Sequence, residues 1–121
     1  MAYAREIMQG GFSAVSADAI QGGVNLTVAG AGTTQGTATQ LVSSQVQITS
    51  GANTTGVILF AGQQGDWTVI FNSAGNSINV YPPLGAKINQ IATNSPHVLA
   101  NNTVCVYHCL SSTQWVAHLS A

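Results

Sequence analysis

Residues 66–90, DWTVIFNSAGNSINVYPPLGAKINQ, contain the clearest strand signals in the chain. Residues 66–72 and 77–81 are rich in β-branched and aromatic side chains, and the second segment alternates apolar with polar residues. The four residues between them, Ser-Ala-Gly-Asn, have the composition of a tight loop that needs positive backbone φ angles. The sequence therefore predicts a β-hairpin, which ends at a Pro-Pro pair because proline has no N–H to donate to a ladder.

Similar strand patterns continue on both sides of this stretch. Residues 24–28 alternate cleanly, and residues 40–49 alternate with a register change near Ser43, which favours a bulge and places Leu41, Val46 and Ile48 inward. Residues 56–60 form a continuous apolar run, and residues 103–110 form a long late strand. About eight strands spaced roughly 8–12 residues apart predict an all-β fold, a single jelly-roll-like β-sandwich.

This sandwich is predicted to span residues 23–121, with residues 1–22 as an extended N-terminal arm. The arm differs in composition, since Arg5 and Glu6 are two of the five charged residues in the chain. Large side chains within the apolar strands are predicted to anchor the core. They are Phe60, Trp67, Phe71, Tyr81, Ile88 and Trp115.

The composition favours a protein whose surface is covered in an assembly. Only 4% of the 121 residues are charged, the net charge is −1, and 42 residues are Thr, Ser, Gln or Asn. Such a surface gives little electrostatic repulsion between copies. It also leaves the edges of β-sheets without the charges that normally prevent them from pairing with other chains.

The sparse charge also excludes several classes of function. With only Arg5 and Lys87 as basic residues, the chain cannot follow a phosphate backbone, so nucleic-acid binding is not expected. We expect no membrane association, because no apolar run approaches the roughly 18 residues of a membrane span, and the N-terminus does not resemble a secretory signal. Cys105 and Cys109 lie about 13 Å apart along one predicted strand, too far for a disulfide, and are expected to be buried thiols in a reducing compartment.

No combination of residues indicates catalysis, a cofactor or a metal. The three acids, Glu6, Asp18 and Asp66, form no closely spaced pair, and no serine lies in a nucleophile-elbow pattern. The histidines at 97, 108 and 118 lack metal-ligand spacing with the cysteines. We therefore expect a protein that is not an enzyme and has no cofactor.

Four aromatic residues allow two interpretations. Trp67, Tyr81, Tyr107 and Trp115 could form a platform on which sugar rings stack, or they could fill the core. The core interpretation is favoured, because each lies within an apolar strand.

The order of several short motifs resembles a small β-domain of tailed-bacteriophage virion proteins. The resemblance covers about residues 49–121 and includes no catalytic signature. Its motifs are Gly56-Val57-Ile58-Leu59, Gly65, Val69-Ile70-Phe71-Asn72, Gly75-Asn76, Ile78-Asn79-Val80-Tyr81-Pro82, Gly85, Ile88-Asn89 and Trp115. The resemblance implies a head decoration (cement) protein or a domain of a tail appendage, usually trimeric.

The expectation that follows is a structural virion protein that trimerises on a phage capsid and stabilises it. Its partners would be two further copies and the major capsid protein, and it would be made in the host cytoplasm and located on the capsid surface of the virion. The candidate capsid-contact residues in the arm are Arg5, Ile7, Met8 and Phe12. The alternatives are a receptor- or carbohydrate-binding module of a tail fibre or spike, and a minor tail or neck protein.

Overall fold

A computed structural model of the chain describes residues 23–119, which form ten β-strands and one short 3-10 turn. The elements are β1 (Val24–Ala29), a 3-10 turn (Gln35–Thr37), β2 (Thr39–Gln40), β3 (Gln45–Ser50), β4 (Gly56–Ile58), β5 (Trp67–Asn72), β6 (Ile78–Tyr81), β7 (Lys87–Ile88), β8 (His97–Leu99), β9 (Thr103–Ser111) and β10 (Gln114–Leu119). Residues 1–22, the predicted arm, lie outside the described residues.

Successive strands from β1 to β8 alternate between two sheets. Sheet A has six strands in the order β1-β3-β5-β9-β10-β7, and sheet B has four in the order β2-β4-β6-β8. Two consecutive strands, one in sheet A and one in sheet B, therefore form one turn of a coil. The next turn of the coil stacks beside it. The fold is a β-solenoid of about four turns.

Most of the pairing between turns is parallel. β1, β3 and β5 pair in parallel in sheet A, as do β2, β4 and β6 in sheet B. The last turn departs from this pattern, because β8 runs antiparallel to β6. The antiparallel hairpin β9–β10 then inserts into sheet A between β5 and β7.

The chain is all-β, but the predicted jelly-roll-like sandwich is wrong. A sandwich of that type is built from antiparallel strands, whereas β1 to β6 form parallel ladders in both sheets. The strand spacing could not reveal this difference, because short alternating strands look alike in both folds. What distinguishes them is the partner of each strand, which here lies one full turn away.

The predicted hairpin in residues 66–90 is also wrong, because its two strands belong to different sheets. β5 pairs with β3 and β9, and β6 pairs with β4 and β8. The buried Asn72 makes the corner between them: its Nδ2 donates to the carbonyls of Asn76 (2.8 Å) and Leu99 (2.9 Å), and its Oδ1 accepts from the N–H of Ala74 (3.0 Å). Gly75, with φ of +90°, completes the turn.

The core fills the space between the two sheets. Because side chains alternate along a strand, Thr68, Ile70 and Asn72 of β5 face inward. In β9, Cys105, Tyr107 and Cys109 do so, as the sequence predicts. Leu41, Val46 and Ile48 are buried as predicted, although they occupy a corner and the following strand rather than one bulged strand.

The outer surface of sheet B is partly covered by a loop of the same chain. The ring of Tyr81 lies against Gly56, where a Cβ atom would be 2.7 Å from Tyr81 Cε2. The Tyr81 hydroxyl donates to the carbonyl of Thr33 (3.1 Å), and Gln35 Nε2 donates to the carbonyl of Pro82 (2.9 Å). The loop of residues 30–38 therefore packs over this side of the solenoid.

Candidate functional site: the outer face of sheet A

The outer face of sheet A is an apolar surface that crosses most of the sheet. It consists of the outward side chains Val24, Leu26, Gln45, Gln47, Trp67, Val69, Phe71, Val104, Val106, His108, Val116 and His118. Strand register places them in rows, since Gln45, Val69 and Val106 are neighbours, as are Gln47, Phe71 and Val104. Solenoid turns stack at one strand spacing, about 4.8 Å, so these rows form a continuous surface.

This face carries no acidic side chain among the described residues. Asp66 and Lys87 are the only Asp, Glu, Lys or Arg residues in 23–119, and the exposed Lys87, which alternates with the inward Ile88 of β7, projects from the edge of this face beside Gln114. Val24 and Leu26 are 45% and 60% exposed, whereas Val69 and Phe71 are half-buried by their neighbours. A contiguous apolar surface of this kind is typical of an interaction site.

Two shallow grooves lie on opposite sides of the central β5–β9 pair. The first groove, toward the N-terminal strands, is lined by Val24, Leu26, Gln45, Gln47, Val69 and Phe71, with Val46 at its floor. The second groove, toward β7, is lined by Lys87, Asn89, Gln90, Leu110, Gln114 and Val116. The two grooves differ in shape and side chains, so the two halves of the face are not equivalent.

The first turn of the solenoid leaves a second candidate surface at the end of the molecule. β1 pairs only with β3, and β2 only with β4, so each has a free edge among the described residues. Between them is a cleft of about 330 Å³, where the core residues Val28, Leu41 and Val46 contribute to its lining. Residues 1–22 join the described part of the chain at this end.

The predicted core anchors occupy two different environments. Tyr81, Ile88 and Trp115 are buried, and Phe60 packs on the core with its ring 5.5 Å from that of Trp115. Trp67 and Phe71 are half-buried on the outer face of sheet A, because the inward positions of β5 belong to Thr68, Ile70 and Asn72. The contiguous apolar run of residues 69–71 hides this alternation in the sequence.

The arm residues predicted to contact the capsid, Arg5, Ile7, Met8 and Phe12, lie outside the described residues. The outer face of sheet A was not predicted as a site from the sequence. A signal for it exists in residues 104–109, where Val104 and Val106 alternate with Cys105 and Tyr107. Both sides of that strand are apolar, which is unusual for a strand with one side in water.

The titratable groups in the core are held in their neutral forms. His97 Nδ1 and the hydroxyl of Tyr107 share a hydrogen bond of 2.9 Å. Burial lowers the pKa of His97 and raises the pKa of Tyr107 well above its usual value. Burial likewise raises the pKa values of the Cys105 and Cys109 thiols, so neither has the thiolate character of a nucleophile.

Residues 23–119 contain no group of three or more His, Cys, Asp or Glu side chains placed to hold a metal ion. The four aromatic residues considered as a sugar platform are not together on the surface. Tyr81, Tyr107 and Trp115 are buried, and only Trp67 reaches the outer face of sheet A.

Residues 23–119 contain no helix that is long and apolar enough to cross a bilayer. A scan of the chain against protein-family models and a search of curated protein sequences both return no match.

Proposed function

We propose that this chain is a structural, non-catalytic virion protein of a tailed bacteriophage, which decorates and stabilises the capsid as a homotrimer. The observation that carries the proposal is the largely apolar outer face of sheet A, on which Lys87 at the β7 edge is the one charged side chain among residues 23–119. Loop 30–38 already packs over the opposite side of the solenoid through Tyr81 and Gln35. A surface of this kind supports association driven by apolar burial, because the chain has too few charges for electrostatic attraction.

Multivalency explains how a small subunit would hold a capsid. Each copy makes a modest contact with the major capsid protein, and linking three copies makes the second and third contacts effectively intramolecular. The arm, with Ile7, Met8 and Phe12 as apolar anchors and Arg5 as a polar one, is the proposed capsid contact. An extended segment can add a strand to a sheet edge of its partner, so that backbone hydrogen bonds contribute to affinity.

The copy number in purified virions tests this proposal. Quantitative mass spectrometry should find the chain in hundreds of copies, in fixed ratio to the major capsid protein, as symmetric decoration requires. A dozen or so copies would instead favour the tail: a fibre or spike module, or a minor tail or neck protein. Absence from the particle would contradict the proposal altogether.

Deletion of residues 1–12 separates the capsid contact from trimer formation. The truncated chain should remain trimeric in solution but should be lost from capsids, because only the arm contact is removed. The full-length protein added back to the same undecorated capsids is the control. Unchanged occupancy by the truncated chain would show that the arm is not the capsid contact.

A further inference from the structure

The core of the solenoid is open at its first turn. Asn25 of β1 is in register with the buried Val46 of β3, so its side chain points inward, yet it is exposed. Thr27 is also exposed, and it lines the cleft of about 330 Å³ together with Leu41 and Val42. An inward position that is exposed indicates that this turn has room for one more strand.

The strand edges at this end have no partner strand among residues 23–119. β1 pairs only with β3, and β2 pairs only with β4. Free edges beside an open core can pair with strands of other chains. Proteins built from stacked repeats therefore close their ends with a terminal unit whose outer side is polar. The first turn needs a cover of this kind, and the cleft lining, which has no charged side chain, requires small uncharged groups on its inner side.

The chain enters β1 beside this cleft, at a residue that suits a reversal of direction. The Gly23 carbonyl accepts from the N–H of Gln45 (3.3 Å), and a Cβ on Gly23 would lie 3.9 Å from Oγ of Ser43, which lines the cleft. The φ angle of Gly23 is +73°, in the left-handed region. The last residue of a three-residue hairpin loop is left-handed and commonly glycine, so Gln21-Gly22-Gly23 has the composition of such a loop.

The eight residues before this loop have the alternation that the open edge requires. They are Ser-Ala-Val-Ser-Ala-Asp-Ala-Ile. A three-residue loop places Ala19 opposite the inward Asn25, and by alternation Val15 and Ala17 also point toward the cleft. Asp18 points the other way, where a charge on the outermost strand discourages pairing with further chains. Eight extended residues span about 26 Å, enough to cover the roughly 20 Å of β1.

We propose that residues 13–20 form an additional strand antiparallel to β1, which closes the first turn of the solenoid within the same subunit. Its ladder with β1 ends at Leu26, because the N–H of Thr27 already donates to Asn25 Oδ1 (3.2 Å). The rest of the new strand crosses the cleft and covers its apolar lining. This inference does not depend on the proposed function, and it leaves residues 1–12 to contact the capsid.

Disulfide trapping in the full-length chain tests the register of the new strand. The double variant Ala19→Cys with Asn25→Cys should form a bridge within one chain under mild oxidation, because opposed residues of an antiparallel pair have Cα atoms about 4.5–5.5 Å apart. Asp18→Cys with Asn25→Cys is the matched control, since its side chains point to opposite faces and should remain reduced. Peptide mass mapping distinguishes these bridges from the native thiols of Cys105 and Cys109, which are buried.

Hydrogen exchange tests whether the strand is stably paired. The backbone amides of residues 18–26 should exchange at least about tenfold faster in Ala19→Glu than in the wild type, since a carboxylate at an inward position opens the added strand. Ser16→Glu places the same charge on the outward side and should retain the wild-type protection. The amides of β5 should be unchanged in both variants, which separates local opening from loss of folding.

The proposal is overturned if both cysteine pairs form bridges equally, if neither does, or if Ala19→Glu exchanges like the wild type at residues 18–26. A bridge between two chains, seen as a disulfide-linked dimer, would assign the strand to a second copy and would also overturn closure within one subunit. The proposed function fails on a different result, the copy number in virions, so the two failures are distinguishable.

Discussion

Asn72 is the residue on which the change of direction between the two sheets depends. Its amide group makes three hydrogen bonds within a fully buried corner, two to carbonyls and one to a backbone N–H. Its position at the end of an apolar strand was visible in the sequence, but its role was not, because Asn also occurs in ordinary hairpin loops. The structure distinguishes the two because the carbonyl of Leu99, in β8, is one of its partners.

We expect Asn72→Ala to destabilise the protein by about 2–4 kcal/mol, because it removes three hydrogen bonds and leaves buried polar groups without these partners. Equilibrium urea unfolding measures this change. Asn79→Ala is the matched control: its side chain is half-buried and makes one 3.3 Å bond to the carbonyl of Thr54, so the loss should be below about 1 kcal/mol. Equal losses in the two variants would contradict the role assigned to Asn72.

We expect the stability of the fold to depend on pH through His97. Its folded-state pKa lies below the ordinary value of 6.5 because burial disfavours the imidazolium form. The unfolded chain therefore binds the proton more readily, and stability present above about pH 6.5 should decline as the pH falls toward the folded-state pKa. The hydrogen bond to Tyr107 favours neutral His97 only when the hydroxyl donates to Nδ1.

Urea unfolding between pH 7.5 and 5 would measure this decline, within the roughly neutral-to-acidic range where histidine titrates. His97→Gln should show a shallower slope, because the titrating group is absent. A His97→Gln profile that parallels the wild type would exclude His97 as the source.

At the scale of elements, the sequence predicted several strands well and their pairing poorly. β9 was expected one residue shorter than it is, and β5 and β6 were each expected to begin one residue earlier. The predicted strand over residues 40–49 is instead divided between sheets, with β2 in sheet B and β3 in sheet A. Local alternation reports which residues face inward, but it contains no information about which distant strand lies alongside.

Close packing of elements explains one glycine that propensity alone would not require. A Cβ on Gly56 would lie 2.7 Å from Tyr81 Cε2 and 3.0 Å from the carbonyl oxygen of Asn79 on the neighbouring strand. Gly56→Ala must therefore displace either the Tyr81 ring or the β4–β6 ladder. We expect a loss of about 1–3 kcal/mol in the free energy of unfolding.

Gly36→Ala is the control for this prediction. No atom lies within 4 Å of the position that a methyl group would take on this residue of the 3-10 turn, so the substitution should be neutral or slightly stabilising. Thermal unfolding of both variants would measure the difference. If Gly56→Ala is as stable as the wild type, the packing of Tyr81 over β4 is not as tight as the structure indicates.

At the scale of the whole molecule, the solenoid left a weak trace in the sequence. β1, β3 and β5 begin to pair at Val24, Gln45 and Val69, which are separated by 21 and 24 residues. Gly-Ala-Asn follows β3 and Ala-Gly-Asn occurs in the corner after β5. A period of this length is typical of stacked repeats, but the turns share too few identical residues for the period to be obvious.

The outer face of sheet A follows from this architecture rather than from any motif. Stacked turns bring residues from five strands into one surface, so Val24, Val69 and Val116 become parts of a single face although they are far apart in the chain. The low charge of the sequence predicts that the protein belongs in an assembly, and this stays a prediction. The outer face could not be predicted from the sequence, because that required the register of every strand.

The mass of the wild-type chain in solution, measured by sedimentation velocity at low and at about molar salt, tests the central claim most directly. Association driven by burial of a largely apolar face predicts a species of three times 12.4 kDa under both conditions, since salt screens charges but does not weaken apolar contacts. A monomer at micromolar concentration, or a trimer that dissociates at high salt, would contradict assembly through this face.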